Sequence, residues 1–351
     1  MRRALALARR GWGWTAPNPM VGAVLVRDGE VVGEGWHTAF GEAHAEVEAL
    51  NAAGDRARGA TAYVTLEPCN HAGKTPPCAP ALIAAGVRRV VFAASDPNPV
   101  AAGGASALRA AGVTVDEGLL GEESRELNAA FHGRFGRERP FITLKLAVSL
   151  DGAIAKPGMS GWLTGPRARR AVHRMRAGHD AIAIGSGTAI TDDPQLTVRG
   201  VRKPRVAPLR VVFDRRGRLT AALRVVRTAR ALPTLVLTGD PAPAGVQSLA
   251  AHGVQVLSAA SLEAALRALL ARGVDSLLCE GGGELAGSLV QAGAVDRLVI
   301  FQAPVVLGAG AVRAFSYAAG TPAPAGGNWH IVEHSVLGDD LMTVYAPGKR
   351  L

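Results

Sequence analysis

The chain has 351 residues, of which 39 are lysine or arginine and 29 are aspartate or glutamate, so its formal net charge is +10. At roughly 100–200 residues per domain, this length predicts two domains. The basic charge favours anionic partners such as phosphorylated small molecules or dinucleotides. The basic residues are dispersed and rarely alternate with aromatic ones, which makes nucleic acid the weaker expectation and leaves a solvated arginine-rich surface as the alternative.

Hydropathy and the number of cysteines indicate the cellular compartment. No long apolar run is free of charge, so we expect no transmembrane span and no membrane partner. The three cysteines provide no disulfide framework, which fits a reducing cytoplasm. The first residues superficially resemble a signal peptide, but Arg9 and Arg10 interrupt the apolar run, so we predict an amphipathic helix over residues 4–11.

The first half of the chain then alternates strands and helices. A hairpin is predicted around Asp28-Gly29, because apolar, β-prone runs flank this turn signal. A helix is predicted to begin at His44. In the second half of the chain, Cys279 lies in an apolar run that predicts a buried strand. The other predicted elements of the first half are strands over 62–66, 89–94 and 113–115 and helices over 80–85 and 105–111.

Three potential metal ligands stand out in this half. His44-Ala45-Glu46 is followed by Pro68-Cys69 and then by Pro77-Cys78. Nucleobase deaminases carry H-x-E and then P-C-x-x-C, whereas the second cysteine here follows nine residues after the first. Zinc held by one histidine and two thiolates keeps a position for water and lowers the pKa of that water. We therefore predict a catalytic zinc site, one ion per chain, bound by His44, Cys69 and Cys78.

Glu46 is the candidate general acid and base of this site. A carboxylate two residues from the histidine can carry the protons that the departing ammonia and the ring nitrogen require. The alternative is a structural zinc site, which usually closes with four protein ligands, and His71 is a possible fourth. A helix that begins at His44 or near Cys78 also favours the thiolate form of nearby cysteines.

A second α/β domain is predicted after the charged segment around Arg139-Pro140. Its boundary is placed between residues 138 and 139, and a helix over 262–271 ends near Gly273. The segment Glu280-Gly281-Gly282-Gly283 lies between a strand and a helix and can cradle an anion, although such a cluster is often only a tight turn. Strands are predicted over 141–148, 181–184, 209–213, 235–237, 254–257, 276–279 and 298–301, and a further helix over 285–291.

These residues resemble a known family, the bifunctional deaminase/reductase of riboflavin biosynthesis, over essentially the full chain. The resemblance includes the wide spacing of the two cysteines. In the first half it rests on Pro17-Asn18-Pro19, Gly22, Gly33-Glu34-Gly35, His44-Ala45-Glu46, Thr65-Leu66-Glu67-Pro68-Cys69, His71, Gly73, Thr75-Pro76-Pro77-Cys78 and Asp96-Pro97-Asn98-Pro99. In the second half it rests on Lys145-Leu146, Ser149-Leu150-Asp151-Gly152, Asp192-Asp193-Pro194, Leu196-Thr197-Val198-Arg199 and Glu280-Gly281-Gly282.

The resemblance implies an α/β protein of two domains. Residues 1–138 would be a zinc-dependent pyrimidine deaminase domain with a cytidine-deaminase-like α/β/α fold. Residues 139–351 would be an NADPH-dependent reductase domain with a dihydrofolate-reductase-like α/β fold. The first would hydrolyse the 2-amino group of 2,5-diamino-6-(5-phosphoribosylamino)pyrimidin-4(3H)-one, and the second would reduce the ribose of 5-amino-6-(5-phosphoribosylamino)uracil to the ribityl form. A homo-oligomer in the cytoplasm is expected.

The resemblance also implies roles for individual residues. His44, Cys69 and Cys78 match the zinc ligands and Glu46 matches the proton donor, while Asn18 and Lys74 are expected to meet the sugar and the phosphate. The NADP contacts would be Ala147, Trp162, Thr188, Asp192, Gly282, Gly283, Glu284, Leu285, Ala286, Gly287 and Ser288. The substrate contacts of the reductase would be Ser160, Arg176, Leu196, Arg199, Glu280 and Lys145.

Some of these assignments leave alternatives. Arg176 and Arg199 suit a phosphate because guanidinium pairs bidentately with it. Trp162 is otherwise a core aromatic, and Lys145 otherwise points to solvent. Thr188 and Asp192 otherwise cap turns. Arg215 stands where the family often has serine, which leaves its contact with the cofactor open.

Two other functions compete with this one. The chain could be a deaminase of a free nucleoside or of RNA, with an unrelated second domain. It could also be a zinc-stabilised binding protein without activity. Retention of Glu46 argues against the binding protein, because a structural zinc site has no use for that carboxylate.

Overall fold

The computed structural model describes residues 1–158, 161–239, 243–317 and 328–348. The chain divides into two compact units, Met1–Arg137 and Glu138–Leu351. Among the described residues, no helix has both the length and the apolar character needed to cross a bilayer.

The first unit is built on a mixed sheet with strand order β2-β1-β3-β4-β5. β1 is antiparallel to β2 and β3, while β3, β4 and β5 are parallel to one another. Its strands are β1 (Gly22–Arg27), β2 (Glu30–Trp36), β3 (Thr61–Leu66), β4 (Arg89–Ala94) and β5 (Thr114–Glu117). Its α-helices are α1 (Arg2–Ala8), α2 (Ala45–Ala53), α3 (Cys78–Ala84), α4 (Gly104–Ala110), α5 (Gly121–Leu127) and α6 (Ala129–Arg134).

Glycines let helix α2 pack closely on strand β2. A Cβ at Gly33 or Gly35 would collide with the α2 backbone at Ala49 or Ala45. The helix itself presents Ala45, Ala49 and Ala53 to the core, and small side chains on both partners let the two backbones approach. The Gly33-Glu34-Gly35 motif therefore fixes where the amino terminus of α2, and with it His44, lies.

The described residues of the second unit contain a sheet with strand order β11-β10-β9-β8-β12-β6-β13-β16-β15. The strands from β11 to β13 in this order are parallel, and β16 and β15 are added antiparallel. A separate antiparallel pair joins β7 and β14. The strands are β6 (Phe141–Val148), β7 (Ala153–Ala155), β8 (Ala181–Gly185), β9 (Leu209–Phe213), β10 (Thr234–Thr238), β11 (Gln255–Ser258), β12 (Ser276–Cys279), β13 (Arg297–Gln302), β14 (Val312–Arg313), β15 (Trp329–Leu337) and β16 (Asp340–Pro347).

The strand order reverses at the middle of this sheet. The chain runs from β6 outward through β8, β9, β10 and β11, and β12 then returns between β8 and β6. Ligands of open α/β sheets bind at the carboxyl ends of strands where the strand order reverses. The helices of this unit are α7 (Pro166–Ala177), α8 (Ser186–Asp192), α9 (Arg224–Arg227), α10 (Pro243–Ala251), α11 (Leu262–Leu270) and α12 (Gly283–Gln291).

Most predicted elements are confirmed within a few residues. The strands predicted over 89–94, 141–148, 209–213 and 276–279 have the observed bounds, and Cys279 is fully buried on β12. Helix α2 begins directly after His44, as expected. The sequence analysis missed α5, α6 and the closing hairpin of β15 and β16, although the two-residue turn Gly338-Asp339 is a typical hairpin signal.

Candidate active sites

The three predicted zinc ligands meet in the first unit. One ligand atom from each of His44, Cys69 and Cys78 lies within 4.8 Å of the other two. The Nδ1 atom of His44 is 3.5 Å from the Cys69 sulfur and 3.3 Å from the Cys78 sulfur. The group found among the described residues contains neither His71 nor Glu46. A single imidazole nitrogen and two sulfurs form a donor set that suits zinc and leaves a fourth position open, so these residues fit the metal.

Neighbouring groups set the state of these ligands. Hydrogen bonding with Cys78 lowers the pKa of the Cys69 thiol to about 4, and this outweighs the effect of burial. The Nε2 atom of His44 is 3.2 Å from the Thr75 hydroxyl. Nε2 can therefore carry the proton and donate to Thr75, which leaves the Nδ1 lone pair directed at the metal position.

Glu46 lies in the first turn of α2 and is almost completely buried, with 4 % of its surface exposed. Burial raises the pKa of Glu46 to about 7, against the opposing charge of His44. A carboxyl group with this pKa exists in both protonation states at neutral pH. It therefore suits a residue that must both accept and donate a proton.

A cavity of about 300 Å³ opens above these residues. Asn18 lines it, and the Nδ2 atom of its amide is 3.3 Å from Nε2 of the buried His37, whose Nδ1 lies 3.0 Å from the Ala43 carbonyl. A carbonyl only accepts, so Nδ1 of His37 carries the proton and Nε2 accepts from Asn18. The carbonyl oxygen of Asn18 is left for a ligand.

One acidic residue near the cysteines acts on the backbone. Glu67 accepts hydrogen bonds from the backbone N–H groups of Gly103 and Ala105, at 3.2 and 3.1 Å, at the amino terminus of α4. It therefore ties the loop that carries Cys69 to a neighbouring helix. The motif Thr65-Leu66-Glu67-Pro68-Cys69 contained this residue, but its anchoring role depends on a contact 36 residues away.

In the second unit, an ion pair joins α7 to the end of β12. Arg176 donates to both carboxylate oxygens of Glu280, with Nη2 at 2.8 Å, and also donates to the Thr197 carbonyl at 2.9 Å. Both side chains are about nine-tenths buried. Burial opposes ionisation of Glu280, but the charge and hydrogen bonds of Arg176 hold the pKa of Glu280 below its ordinary value.

Two further cations belong to the same cluster. Lys145 is half-buried on β6, and burial lowers the pKa of its ammonium while the charge of Glu280 opposes that effect. The Lys145 side chain is thus partly enclosed, with its Nζ atom 5.8 Å from the centre of the Phe301 ring. Arg199 is exposed, and its guanidinium donates to the Gln195 side chain at 2.7 Å and to the Thr197 hydroxyl at 2.8 Å.

The glycine-rich turn meets helix α8. The backbone N–H of Gly282 donates to the Thr188 hydroxyl at 2.9 Å. The helices α8 and α12 both begin without a side-chain cap, and they follow the adjacent strands β8 and β12. Uncapped N–H groups at neighbouring helix starts suit a pyrophosphate, so this edge fits a nicotinamide dinucleotide.

The other predicted reductase residues lie in different surroundings. Trp162 is 74 % exposed, which excludes a core aromatic, and Asp192 is also exposed. Ala147 is half-buried on β6. Leu196 is buried in the core with a φ of 51°, so it is held in the left-handed region. Ser160 lies outside the described residues.

Most residues at the start of helix α12, which were predicted to contact NADP, are buried. Gly283, Leu285, Ala286 and Gly287 are buried, whereas Glu284 and Ser288 are exposed. A Cβ at Gly287 would collide with the Ser316 backbone, and Ser316 donates its N–H to the Gly283 carbonyl at 3.0 Å. These two glycines are therefore needed for packing of the chain around Ser316.

Comparisons with known proteins agree with this division. The cytidine and deoxycytidylate deaminase zinc-binding region matches residues 1–94, and the RibD C-terminal domain matches residues 140–343. The riboflavin biosynthesis protein RibD of Aquifex aeolicus is 44% identical over 314 residues, which are 88% of this chain and 87% of that protein. RibD of Escherichia coli is 44% identical over 326 residues, covering 89% and 88%.

The chain belongs to the RibD family. It is a bifunctional enzyme of riboflavin biosynthesis with a zinc-binding deaminase domain and a reductase domain, and the latter implies a nicotinamide cofactor. A RibD structure from Acinetobacter baumannii has a TM-score of 0.85 and 37% identity, covering 99% of this chain and 98% of that one. The diaminohydroxyphosphoribosylaminopyrimidine deaminase/5-amino-6-(5-phosphoribosylamino)uracil reductase of Thermotoga maritima has a TM-score of 0.84 and 36% identity, covering 99% and 97%.

RibD membership bears on the predictions made from the sequence. The two-domain α/β architecture and the bifunctional assignment are confirmed. The competing function, a deaminase with an unrelated second domain, is wrong because the second domain is the reductase domain of RibD. The roles of the individual site residues stay predictions.

Proposed function

We propose that the deaminase domain hydrolyses the 2-amino group of 2,5-diamino-6-(5-phosphoribosylamino)pyrimidin-4(3H)-one. The reductase domain then reduces the ribose of 5-amino-6-(5-phosphoribosylamino)uracil to the ribityl form with NADPH. The convergence of His44, Cys69 and Cys78 beside the buried Glu46 carries this proposal. The activity named for the Thermotoga maritima relative supports the choice of substrates.

In the deaminase domain, each residue has a distinct task. Zinc held by His44, Cys69 and Cys78 would supply Lewis acidity that activates a water at its open position. Glu46 takes a proton and returns it to the leaving nitrogen, since its pKa of about 7 permits both steps at neutral pH. Thr75 holds the ring of His44 in one orientation through Nε2.

The rest of the deaminase pocket suits a phosphorylated sugar. Asn18 offers its amide oxygen to a hydroxyl or an N–H of the substrate, because His37 holds the amide from the other side. Lys74 is exposed at the pocket wall, with its ammonium 4.2 Å from the centre of the Phe40 ring. His71 also lines this pocket, and its buried Nδ1 atom has no hydrogen-bond partner among the described residues. Both side chains can meet the phosphoribosyl group.

In the reductase domain, we assign the uncapped starts of α8 and α12 to the pyrophosphate of NADPH. Gly282 keeps the turn narrow, since a Cβ there would lie 3.1 Å from the Thr188 hydroxyl. Trp162 and Asp192 are exposed and therefore available to the cofactor. The cofactor supplies the hydride, and the residues of the chain bind and orient both partners.

The substrate of the reduction is assigned to the cluster around Glu280. Arg199 is the exposed cation and suits the phosphate, whereas Arg176 already donates to Glu280 and to the Thr197 carbonyl. We therefore assign Arg176 to positioning Glu280 and Arg199 to the direct contact. Lys145, whose pKa is lowered by burial, holds a proton beside Glu280 that can neutralise charge on the reduced sugar.

A coupled assay tests the proposal. Zinc-loaded protein is mixed with the diaminopyrimidine phosphate and NADPH, and ammonia release and the loss of NADPH absorbance are followed separately. Ammonia release should not require NADPH, and NADPH oxidation should require the deaminated product. Ammonia release from cytidine but not from the diaminopyrimidine would contradict the proposal.

We also propose a cytoplasmic homo-oligomer. The cysteines of the described residues are all free thiols, and reduced thiols are needed for the metal site. Strand β15 is an edge strand with Ile331 and Val336 exposed to 58 % and 74 %. A second copy that pairs there would cover this edge. Light scattering coupled to size exclusion measures the mass directly.

A further inference from the structure

A second cavity lies in the deaminase domain, away from the zinc ligands. Its volume is about 570 Å³, compared with about 300 Å³ for the cavity above Glu46. We call it the arginine cavity, because its wall contains the three arginines Arg27, Arg58 and Arg88. The remaining lining residues are Val26, Asp28, Gly29, Gly59, Thr61 and Tyr63.

The two cavities lie at opposite ends of the strands of this sheet. Cys69 and the pocket residue Asp96 follow the carboxyl ends of β3 and β4, whereas Thr61 and Arg88 stand at the amino ends of the same strands. Each of these strands has six residues and, at about 3.3 Å per residue, separates the two cavities by roughly 20 Å. The arginine cavity is therefore a site distinct from the zinc centre.

Backbone pairing brings the three arginines to one place. Arg27 ends β1 directly after Val26, which pairs with Thr61 of β3. The Gly59 N–H donates to the Gly86 carbonyl at 2.8 Å, and the Arg88 N–H donates to the Ala60 carbonyl at 3.0 Å. Arg27 is therefore the last residue of β1, whereas Arg58 and Arg88 lie in the loops that precede the adjacent strands β3 and β4.

These three guanidinium groups have one acidic partner between them among the described residues. Among the described residues, neither Arg58 nor Arg88 has a carboxylate within ion-pair distance. Arg27 has only the adjacent Asp28, at 3.5 Å, whose side chain is 90% exposed. The cavity wall therefore carries more positive than negative charge, and a bound anion would supply the missing counter-charge.

All three arginines are exposed, and the backbone holds only part of the cavity wall in place. The Arg58 side chain lies against the Gly86 backbone, at the place where a side chain of residue 86 would stand. Thr61 and Tyr63 are two residues apart on β3, so they face the same side of the sheet and offer two hydroxyl groups. Open space at Gly29 and Gly59 keeps the rim clear.

We propose that the arginine cavity binds a phosphate-bearing small molecule of nucleotide size. Guanidinium groups bind phosphate bidentately, and the volume is typical of small-molecule sites. Tyr63 provides an aromatic surface and a hydroxyl for the rest of the ligand. The concave shape favours a small molecule over an extended nucleic-acid chain.

Isothermal titration of the zinc-loaded full chain with inorganic pyrophosphate, and in parallel with ADP, tests this site. The double variant Arg58→Ala/Arg88→Ala should lose one saturable site per chain or bind at least tenfold more weakly. The control variant Arg2→Ala/Arg109→Ala removes the same charge from two exposed residues that line neither cavity, and it should bind like the wild type. Both double variants should keep the wild-type rates of ammonia release and NADPH oxidation in the absence of the probe.

A charge-preserving variant separates geometry from net charge. Arg58→Lys/Arg88→Lys should bind with an affinity between those of the wild type and the alanine variant, because lysine lacks the bidentate fork. Equal pyrophosphate and ADP binding by the wild type and the alanine variant would overturn the proposal. So would saturation by single-stranded RNA at a lower concentration than by either probe, since the arginines would then belong to an RNA-binding surface.

Discussion

At the residue scale, the zinc centre combines a short motif with the burial of one carboxylate. Glu46 follows His44 by two residues, so both stand at the start of α2. The motif indicates that the carboxylate is close to the metal position. Only burial, which raises the pKa of Glu46 to about 7, makes it suitable for transferring protons in both directions at neutral pH.

Replacing Glu46→Gln should lower the rate of ammonia release at least about a hundredfold, because the proton carrier is removed. Zinc content, measured by mass spectrometry, should stay at the wild-type value, since Glu46 is outside the ligand group. Glu48→Gln on the same helix is the matched control and should keep most of the activity. Loss of zinc from the Glu46 variant would contradict the assigned role.

Arg199→Ala tests the phosphate contact of the reductase domain. The change should raise the KM for the phosphoribosyl substrate by about tenfold to a hundredfold, which corresponds to the loss of a charged hydrogen bond. Because Arg199 is exposed, the free energy of unfolding should stay nearly unchanged. Steady-state kinetics with varied substrate and fixed NADPH measures the effect. An increase in the KM for NADPH alone would place this arginine at the cofactor instead.

At the element scale, single contacts fix the positions of helices and strands relative to one another around both sites. The Arg176–Glu280 pair joins α7 to the end of β12, and Glu67 joins the Cys69 loop to α4. Gly33 and Gly35 let α2 approach β2. Each contact links elements far apart in the chain.

The Arg176–Glu280 pair predicts a pH dependence of stability. The folded-state pKa of Glu280 lies below the ordinary value of 4.5. The contribution of Glu280 to the free energy of unfolding is therefore fully present above pH 4.5. It is lost as the pH falls through the lower folded-state pKa. Urea unfolding at a series of pH values should show this acid loss in the wild type and a smaller loss in Glu280→Gln. Equal slopes in the two proteins would show that the pair does not stabilise the fold.

Gly287→Ala should destabilise the protein, although helix propensity alone predicts that it stabilises. Inside a helix, alanine stabilises relative to glycine by about 1 kcal/mol. Here the new methyl group would collide with the Ser316 backbone, so we expect destabilisation of about 1–3 kcal/mol. Chemical denaturation measures the difference. Gly245→Ala in α10 is the control and should be neutral or stabilising, because a Cβ there meets no atom of the described residues within 4 Å.

At the scale of the whole molecule, the two units carry separate chemistry on one chain. The predicted zinc ligands all belong to Met1–Arg137, and the Glu280 cluster belongs to Glu138–Leu351. Each unit has its own hydrophobic core. Metal removal should therefore affect one activity and leave the other.

Chelation with excess EDTA should abolish ammonia release and leave the NADPH-dependent reduction of the already deaminated substrate unchanged. Calorimetry should show one unfolding transition shifted to lower temperature, because the metal stabilises only the unit that binds it. Adding zinc back should restore both the activity and the transition. A parallel loss of the reductase activity would contradict independent sites.

Much of the fold was accessible from local patterns. Strands such as β4, β6 and β9 were predicted because continuous apolar runs are bounded by clear turn signals. The C-terminal hairpin was missed, since both faces of β15 are largely exposed and its sequence lacks a strong alternation. Trp162 shows the limit for single residues, because an aromatic side chain does not indicate whether it is buried or 74 % exposed.

The sequence by itself determined the zinc chemistry and the two-domain organisation. Ligand types and their spacing are local, and His44, Glu46, Cys69 and Cys78 can be identified without coordinates. Only the tertiary structure decided that Arg176 is bound to Glu280, that Gly287 serves packing, and that Arg27, Arg58 and Arg88 share a cavity. The physical reason is that burial and charge pairing depend on strands and helices distant in the chain, which no local pattern specifies.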